Sequence, residues 1–192
     1  MHVQEVTTLP LSVILARGRL ATFLHTGGAV QHLSEQAFDH GIAASRSAGL
    51  SGASRSVTAQ TGPALSHGGA TQFAIRWTTD TDAAGDPGPV LDVTLAVEPA
   101  DDGGSRLTLR GDYRPAPGTM TSMTSTFEQI LIGHAGHISA RWFLTAVAHA
   151  VMDPPGLQGQ PAVTPQDRRS PHPPTRPTAD RRPHHRQPQV GD

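Results

Sequence analysis

Two histidines close together near the end of the sequence could form a metal site. His134 and His137 are three positions apart in an apolar stretch that predicts a helix, a spacing that could offer two imidazoles to one metal ion. Their side chains would point about 60° apart, and Glu128 and His149 are too far along the helix to supply a third ligand. We therefore predict a packed or solvent-facing pair and no metal site.

An acid–base pair is a second interpretation of the same region. His134 would titrate near neutral pH, and the phenol of Tyr113 could stabilise an enolate, as a cyclisation or dehydration requires. Spacing in the sequence does not bring the two side chains together, so they could equally line a pocket or its rim. They are the only candidates for catalysis, and our leading prediction contains no catalytic residue.

Several other chemistries are excluded by missing residues or motifs. The 192 residues include no cysteine, which rules out disulfides, thiol catalysis and cysteine-ligated metals. The glycine pairs at 27–28, 68–69 and 103–104 stand outside any phosphate-binding motif, and no Gly-x-Ser-x-Gly elbow occurs. The sequence predicts turns at these glycines and no cofactor.

Composition changes abruptly at residue 153. The last 40 residues hold 10 Pro and 6 Arg, which predicts a disordered tail rich in Pro, Arg and His over 153–192 after a folded domain over 1–152. The domain carries a net charge of −3 and the tail +2, so we expect no specific nucleic-acid partner. No apolar run approaches the length of a membrane span, which predicts a cytoplasmic protein.

The central strands are the clearest elements. Residues 71–79, 89–98 and 105–113 alternate apolar and polar side chains, which predicts an antiparallel meander. Placing Val97 opposite Leu107 puts Gly103 in a left-handed turn position and Glu98 opposite Arg106. The same register places Asp92 opposite Asp112, with Arg76 expected beside Asp92 from the preceding strand.

The flanking elements are predicted from weaker patterns. A strand is expected at 3–9, helices at 11–16, 19–25 and 29–38, weak strands at 42–48 and 54–60, and a long helix at 120–152. Two apolar stripes run along the long helix, so it should contact more than one neighbour. The first stripe holds Phe127, Leu131, His134, Ile138, Trp142 and Thr145, and the second holds Ile130, Gly133, His137, Leu144, Val147 and Val151.

The chain resembles the START-like (SRPBCC) superfamily, which includes polyketide cyclases and dehydrases and coenzyme Q-binding proteins. The resemblance covers residues 1–152 and is carried by the order of elements and three motifs. These are Leu-Ser-Glu-Gln-Ala-Phe-Asp-His-Gly at 33–41, Gly111-x-Tyr113-x-Pro115 followed by Pro117-Gly118, and Arg141-x-Phe143-Leu144-x-x-Val147-Ala148.

The resemblance implies an α+β helix-grip fold, in which a curved antiparallel sheet wraps around the C-terminal helix. It also implies a small hydrophobic ligand, such as a lipid, quinone or polyketide-like molecule, held between sheet and helix without catalysis. A cofactor-independent cyclase or dehydratase and a protein-interaction module are the alternatives, and the oligomeric state is left open. The implied ligand-binding residues are Phe73, Ile75, Trp77, Val93, Leu95, Leu109, Tyr113, Leu131, His134, Ile138 and Trp142.

Overall fold

The fold is α+β with a five-stranded antiparallel sheet, which confirms the predicted fold class and the antiparallel arrangement of the three central strands. The structure is a computed structural model that describes residues 1–154 apart from 27, 48–55, 81–87 and 117–125; the side chains of 45–47, 126–129, 131 and 132 also fall outside it. The elements are β1 His2–Leu9, α1 Val13–His25, α2 Ala29–Ser47, β2 Val57–His67, β3 Ala70–Thr79, β4 Val90–Pro99, β5 Ser105–Arg114 and α3 Thr126–Met152. The strand order is β1-β5-β4-β3-β2.

The register predicted for the central strands is confirmed. Val97 pairs with Leu107, and Glu98 pairs with Arg106. Gly103 has a φ of 82°, the left-handed conformation expected in the turn between β4 and β5. Because side chains alternate between the two sides of a strand, this register places the large apolar residues of the three strands on one face, with Val90 on the other.

The outer face of the sheet carries the ion pairs expected from that register. Arg106 lies 3.5 Å from Glu98, and Arg76 lies 3.6 Å from Asp92. Asp92 faces Asp112 across the strands, and Arg114 donates a hydrogen bond to Asp92. The two arginines therefore compensate a contact between like charges.

Helix α1 is continuous, so the predicted break at Gly18 is wrong. The hydroxyl of Ser12 accepts a hydrogen bond from the backbone N–H of Leu15 at 3.4 Å and caps the first turn. The buried side chains of α1 are spaced at helical intervals on both sides of Gly18, and they are Ala16, Leu20, Phe23 and Leu24. Burial of this continuous face outweighs the cost of one glycine in a helix.

Helix α2 runs to Ser47, so the strand predicted at 42–48 is wrong. The reason is the packing of α2 on α3. A Cβ atom on Gly41 would come within 2.9 Å of the backbone oxygen of Ala135, so only glycine permits this close approach. Tertiary contact with α3 thus favours a helix in a segment whose small residues have no strong preference for helix or strand.

Strand β2 begins near the prediction but extends seven residues beyond it, to His67. It is an edge strand with mostly exposed side chains, which explains why its apolar alternation is weak. The side-chain amide of Gln31 in α2 covers the start of its free edge, donating to the carbonyl of Val57 and accepting from the backbone N–H of Ala59 at 2.8 Å. This side chain satisfies backbone groups that a neighbouring strand would otherwise pair.

Helix α3 ends at Met152, where the sequence predicts its end, and its described part begins at Thr126. The guanidinium of Arg19 donates to the carbonyl oxygens of Val151 and Met152 at 3.1 and 2.9 Å, which satisfies the last turn of the helix. The predicted helical residues 120–125 and the tail beyond residue 154 lie outside the described residues.

Candidate functional site

The sheet residues predicted to bind a ligand lie together on the inner face. All six apolar members are at most 5% exposed, and they belong to the main hydrophobic cluster: Phe73, Ile75, Trp77, Val93, Leu95 and Leu109. Cross-strand pairing arranges the inner face in rows. One row contains Trp77, Leu91 and Tyr113 from three adjacent strands.

The side of α3 that joins this cluster differs from the stripe predicted to line the pocket. Ala140, Phe143, Val147 and Val151 are completely buried, and the Phe143 ring meets the Trp77 ring edge-on at a centroid distance of 4.9 Å. Steps of three and four residues connect these positions, so the sequence contained the signal. Val147 and Val151 belong to the second predicted stripe, whereas Ala140 and Phe143 were assigned to neither stripe.

Two of the helix residues predicted to bind a ligand, Ile138 and Trp142, line a surface groove, although Trp142 also packs against the main hydrophobic cluster. The Trp142 ring stacks on the His40 ring of α2, with centroids 4.8 Å apart, and Ile138 lies beside Trp142 in the same surface groove. His134 is exposed, and the side chain of Leu131 is outside the described residues. The structure therefore brings the sheet residues together and places Ile138 and Trp142 on a different side of α3.

Tyr113 is held tightly at the end of the inner face. Its ring packs on Gly136 of α3, where an added Cβ would lie only 2.8 Å from two ring carbons. Its backbone N–H donates to the Met1 carbonyl at 2.8 Å, and its carbonyl accepts from the Met1 amino group at 2.8 Å. Burial raises the pKa of Tyr113 to about 12, so the phenol keeps its proton at neutral pH.

Tyr113 and His134 are not brought together as an acid–base pair. Tyr113 contacts α3 at Gly136, two positions after His134, and two helical positions differ by about 200° around the axis. His134 therefore points away from the side that Tyr113 contacts, in keeping with its exposure. Proton transfer between the two would need a separation of about one hydrogen bond or one bridging water.

The other histidine of the pair has a carboxylate neighbour that the sequence analysis did not identify. His137 Nδ1 lies 3.3 Å from Glu5 Oε1, which links α3 to β1. Glu5 lies two positions after Val3, on the inner side of β1. The sequence around Glu5 contains no pattern that would identify His137 as its partner. Among the residues that the structure describes, no three His, Asp or Glu side chains are grouped to hold a metal.

An unpaired donor in the interior was also missed. Trp77 is only 3% exposed, and its buried indole Nε1 has no hydrogen-bond partner among the residues that the structure describes. Buried N–H groups are almost always paired, and leaving one unpaired costs about 1–3 kcal/mol. Trp77 and Tyr113 thus place one free indole N–H and one protonated phenol in the same row of the inner face.

Comparison of the chain with protein-family models, curated proteins and solved structures finds no match. Within the described part of the chain, no helix has the length and apolar character needed to cross a membrane. The site must therefore be interpreted from its own geometry.

Proposed function

We propose that this protein binds a small, mostly apolar molecule bearing an acceptor oxygen, between the inner face of the sheet and α3 in a helix-grip arrangement. The observation that carries the proposal is the buried, unpaired indole N–H of Trp77. A carbonyl or ether oxygen placed beside this N–H would remove the cost of leaving it unpaired. Leu91 and the Phe143 ring would provide apolar contacts to the rest of the molecule.

The chemistry of the row favours a neutral ligand that accepts hydrogen bonds. Tyr113, with its pKa raised to about 12, can donate its phenolic proton at neutral pH. Its strand is the second neighbour of the Trp77 strand, so the two side chains originate about 10 Å apart. A quinone or polyketide-like molecule, with oxygens on both sides of an apolar ring system, suits two donors at such a separation.

The two alternatives have less support. Cyclisation or dehydration would need Tyr113 and His134 in one site, but His134 is exposed and lies on another side of α3. A protein-interaction module would need an open apolar face on the sheet, whereas the inner residues of β3, β4 and β5 are largely buried. We therefore favour ligand binding over both.

The proposal is tested with 2-methyl-1,4-naphthoquinone and its hydrocarbon counterpart, 2-methylnaphthalene, added to the purified full chain. The chain has two tryptophans and no cysteine, so each indole N–H can be followed separately and the quinone meets no thiol. We expect the quinone to bind more tightly than the hydrocarbon and to shift the Trp77 indole signal. Equal affinities, or a quinone that leaves the Trp77 signal unchanged, would contradict the proposal.

Matched variants separate the hydrogen bond from general packing. Trp77→Phe removes the donor and keeps an aromatic ring, and we expect it to reduce quinone affinity about 2- to 10-fold while leaving 2-methylnaphthalene affinity nearly unchanged. Trp142→Phe makes the same change on the outer side of α3 and should alter neither affinity. Equal effects of the two variants would show that the ligand does not contact Trp77.

A further inference from the structure

A surface groove lies along the side of α3 that carries Ile138 and Trp142, and Trp142 both lines the groove and packs against the main hydrophobic cluster. The groove has a volume of about 410 Å³ and a mostly apolar surface, and it is lined by Ile138, Arg141, Trp142, Thr145, Ala146 and His149. This volume lies in the range typical of sites for small molecules. The Trp142 ring is stacked on the His40 ring of α2, which covers one of its faces and fixes its orientation.

The groove is lined by one permanently charged residue, Arg141, and Asp153 follows the groove residue His149 by one helical turn. Arg141 is exposed, and no carboxylate among the described residues pairs with its guanidinium. Helix α3 contains no acidic residue after Glu128, while His134 and His149 are exposed on it. An unpaired arginine beside apolar and aromatic side chains is complementary to an anion joined to an apolar group.

We infer that this groove binds a small aromatic carboxylate, with the carboxylate on Arg141 and the ring against Trp142 and Ile138. Arginine suits this role because its planar guanidinium can donate two parallel hydrogen bonds to one carboxylate. A second copy of the chain is a poorer occupant, since it would bring another arginine and further histidines to the same place. The site is independent of the interior site proposed above, because it shares no residue with the row that contains Trp77 and Tyr113.

The experiment uses 1-naphthoate and the uncharged 1-naphthamide, titrated into the full chain by calorimetry, with the two indole signals followed in parallel. We expect naphthoate to bind at least several-fold more tightly than naphthamide and to shift the Trp142 indole signal but not that of Trp77. Equal affinities for the two probes, or a shift confined to Trp77, would overturn the inference. These outcomes are distinguishable from a failure of the proposed interior site, because that site is tested separately by quinone binding and the Trp77 indole signal.

Arg141→Gln should lower naphthoate affinity about tenfold and leave naphthamide affinity unchanged, because it removes the charge and the two parallel donors while keeping a polar side chain. Arg110→Gln is the matched control, since Arg110 is also exposed but lies on the outer face of the sheet. An equal loss of naphthoate affinity in both variants would overturn the inference. Self-association of the chain that buries Trp142 would overturn it as well. Binding to anionic lipid vesicles without binding to naphthoate would identify a membrane surface instead and would also overturn it.

Discussion

The two sides of α3 differ in burial more than their similar apolar character suggests. The inner side places Phe143, Val147 and Val151 in the core with no exposed surface. The outer side places Ile138 and Trp142 in a half-buried groove beside the exposed Arg141. Both sides are apolar enough to have been predicted as contact surfaces, yet only one meets the sheet. A helix that is apolar on two sides can therefore combine a structural face with a face that remains available to other molecules.

Truncating one residue on each side should give the largest difference. Phe143→Ala removes a fully buried ring that meets Trp77, and we expect it to lower the free energy of unfolding by about 3–5 kcal/mol. Ile138→Ala removes a half-buried side chain next to the groove and should cost less than about 1.5 kcal/mol. Urea denaturation monitored by circular dichroism measures both. Similar losses would show that the two sides contribute equally to stability.

Adding a single methyl group to the inner side should have the next largest effect. In Gly136→Ala the new Cβ would lie 2.8 Å from ring carbons of Tyr113, so we expect a loss of about 1–3 kcal/mol as the ring moves. Gly18→Ala in α1 is the control, because no atom lies within 4 Å of its added Cβ. Alanine is the better helix former, so this variant should gain about 0.5–1 kcal/mol. Thermal unfolding should show opposite shifts, and shifts of the same sign would contradict the packing of Tyr113 on Gly136.

Alkaline pH should lower the free energy of unfolding, because it ionises Tyr113, which packs on the inner side of α3. Burial raises the pKa of this phenol from 10.0 to about 12, so the folded state resists its ionisation. The corresponding stability is fully present below pH 10 and is lost as the pH rises towards 12, with a total decrease of about 1–3 kcal/mol. Tyr113 is the only tyrosine in the chain, so tyrosinate absorbance reports its titration directly.

The variant Tyr113→Phe provides the comparison for this pH dependence. It should remove the tyrosinate signal and reduce the loss of stability between pH 10 and 12. A tyrosinate midpoint near 10 in the folded wild-type chain would show that Tyr113 is solvated rather than packed on α3.

The smallest effect is expected from the side-chain contact between His137 of α3 and Glu5 of β1. His137 and Glu5 are 3.3 Å apart, but their side chains are 46% and 23% exposed. Partly exposed pairs of this kind contribute about 0–1 kcal/mol, so His137→Gln should change the urea midpoint only slightly. Arg106→Gln, which breaks an outer-face pair of similar exposure, should have a comparable effect. A loss above about 2 kcal/mol for His137→Gln alone would show that this contact is essential to the packing of α3.

The predictions made from alternation were more successful than those made from single residues. The Val97–Leu107 register follows from matching apolar faces, and the structure confirms it together with the Glu98–Arg106 pair. Gly18 and the segment after Gly41 were interpreted from local preference, and there tertiary packing produced helix instead of a break or a strand. Local preferences of glycine and small residues amount to about 1 kcal/mol or less per residue, which packing readily exceeds.

By itself, the sequence determined the pairing of the three central strands, their inner and outer residues, and the absence of cysteine chemistry. The reason is that alternation with a period of two leaves one register in which all the large apolar side chains share a face. Only the tertiary structure decided which side of α3 meets that face and which carries the groove with Arg141 and Trp142. Both sides are apolar at helical spacing, so the local pattern does not say which one packs on the sheet. That depends on two contacts between residues far apart in sequence, Gly136 with Tyr113 and Gly41 with α3.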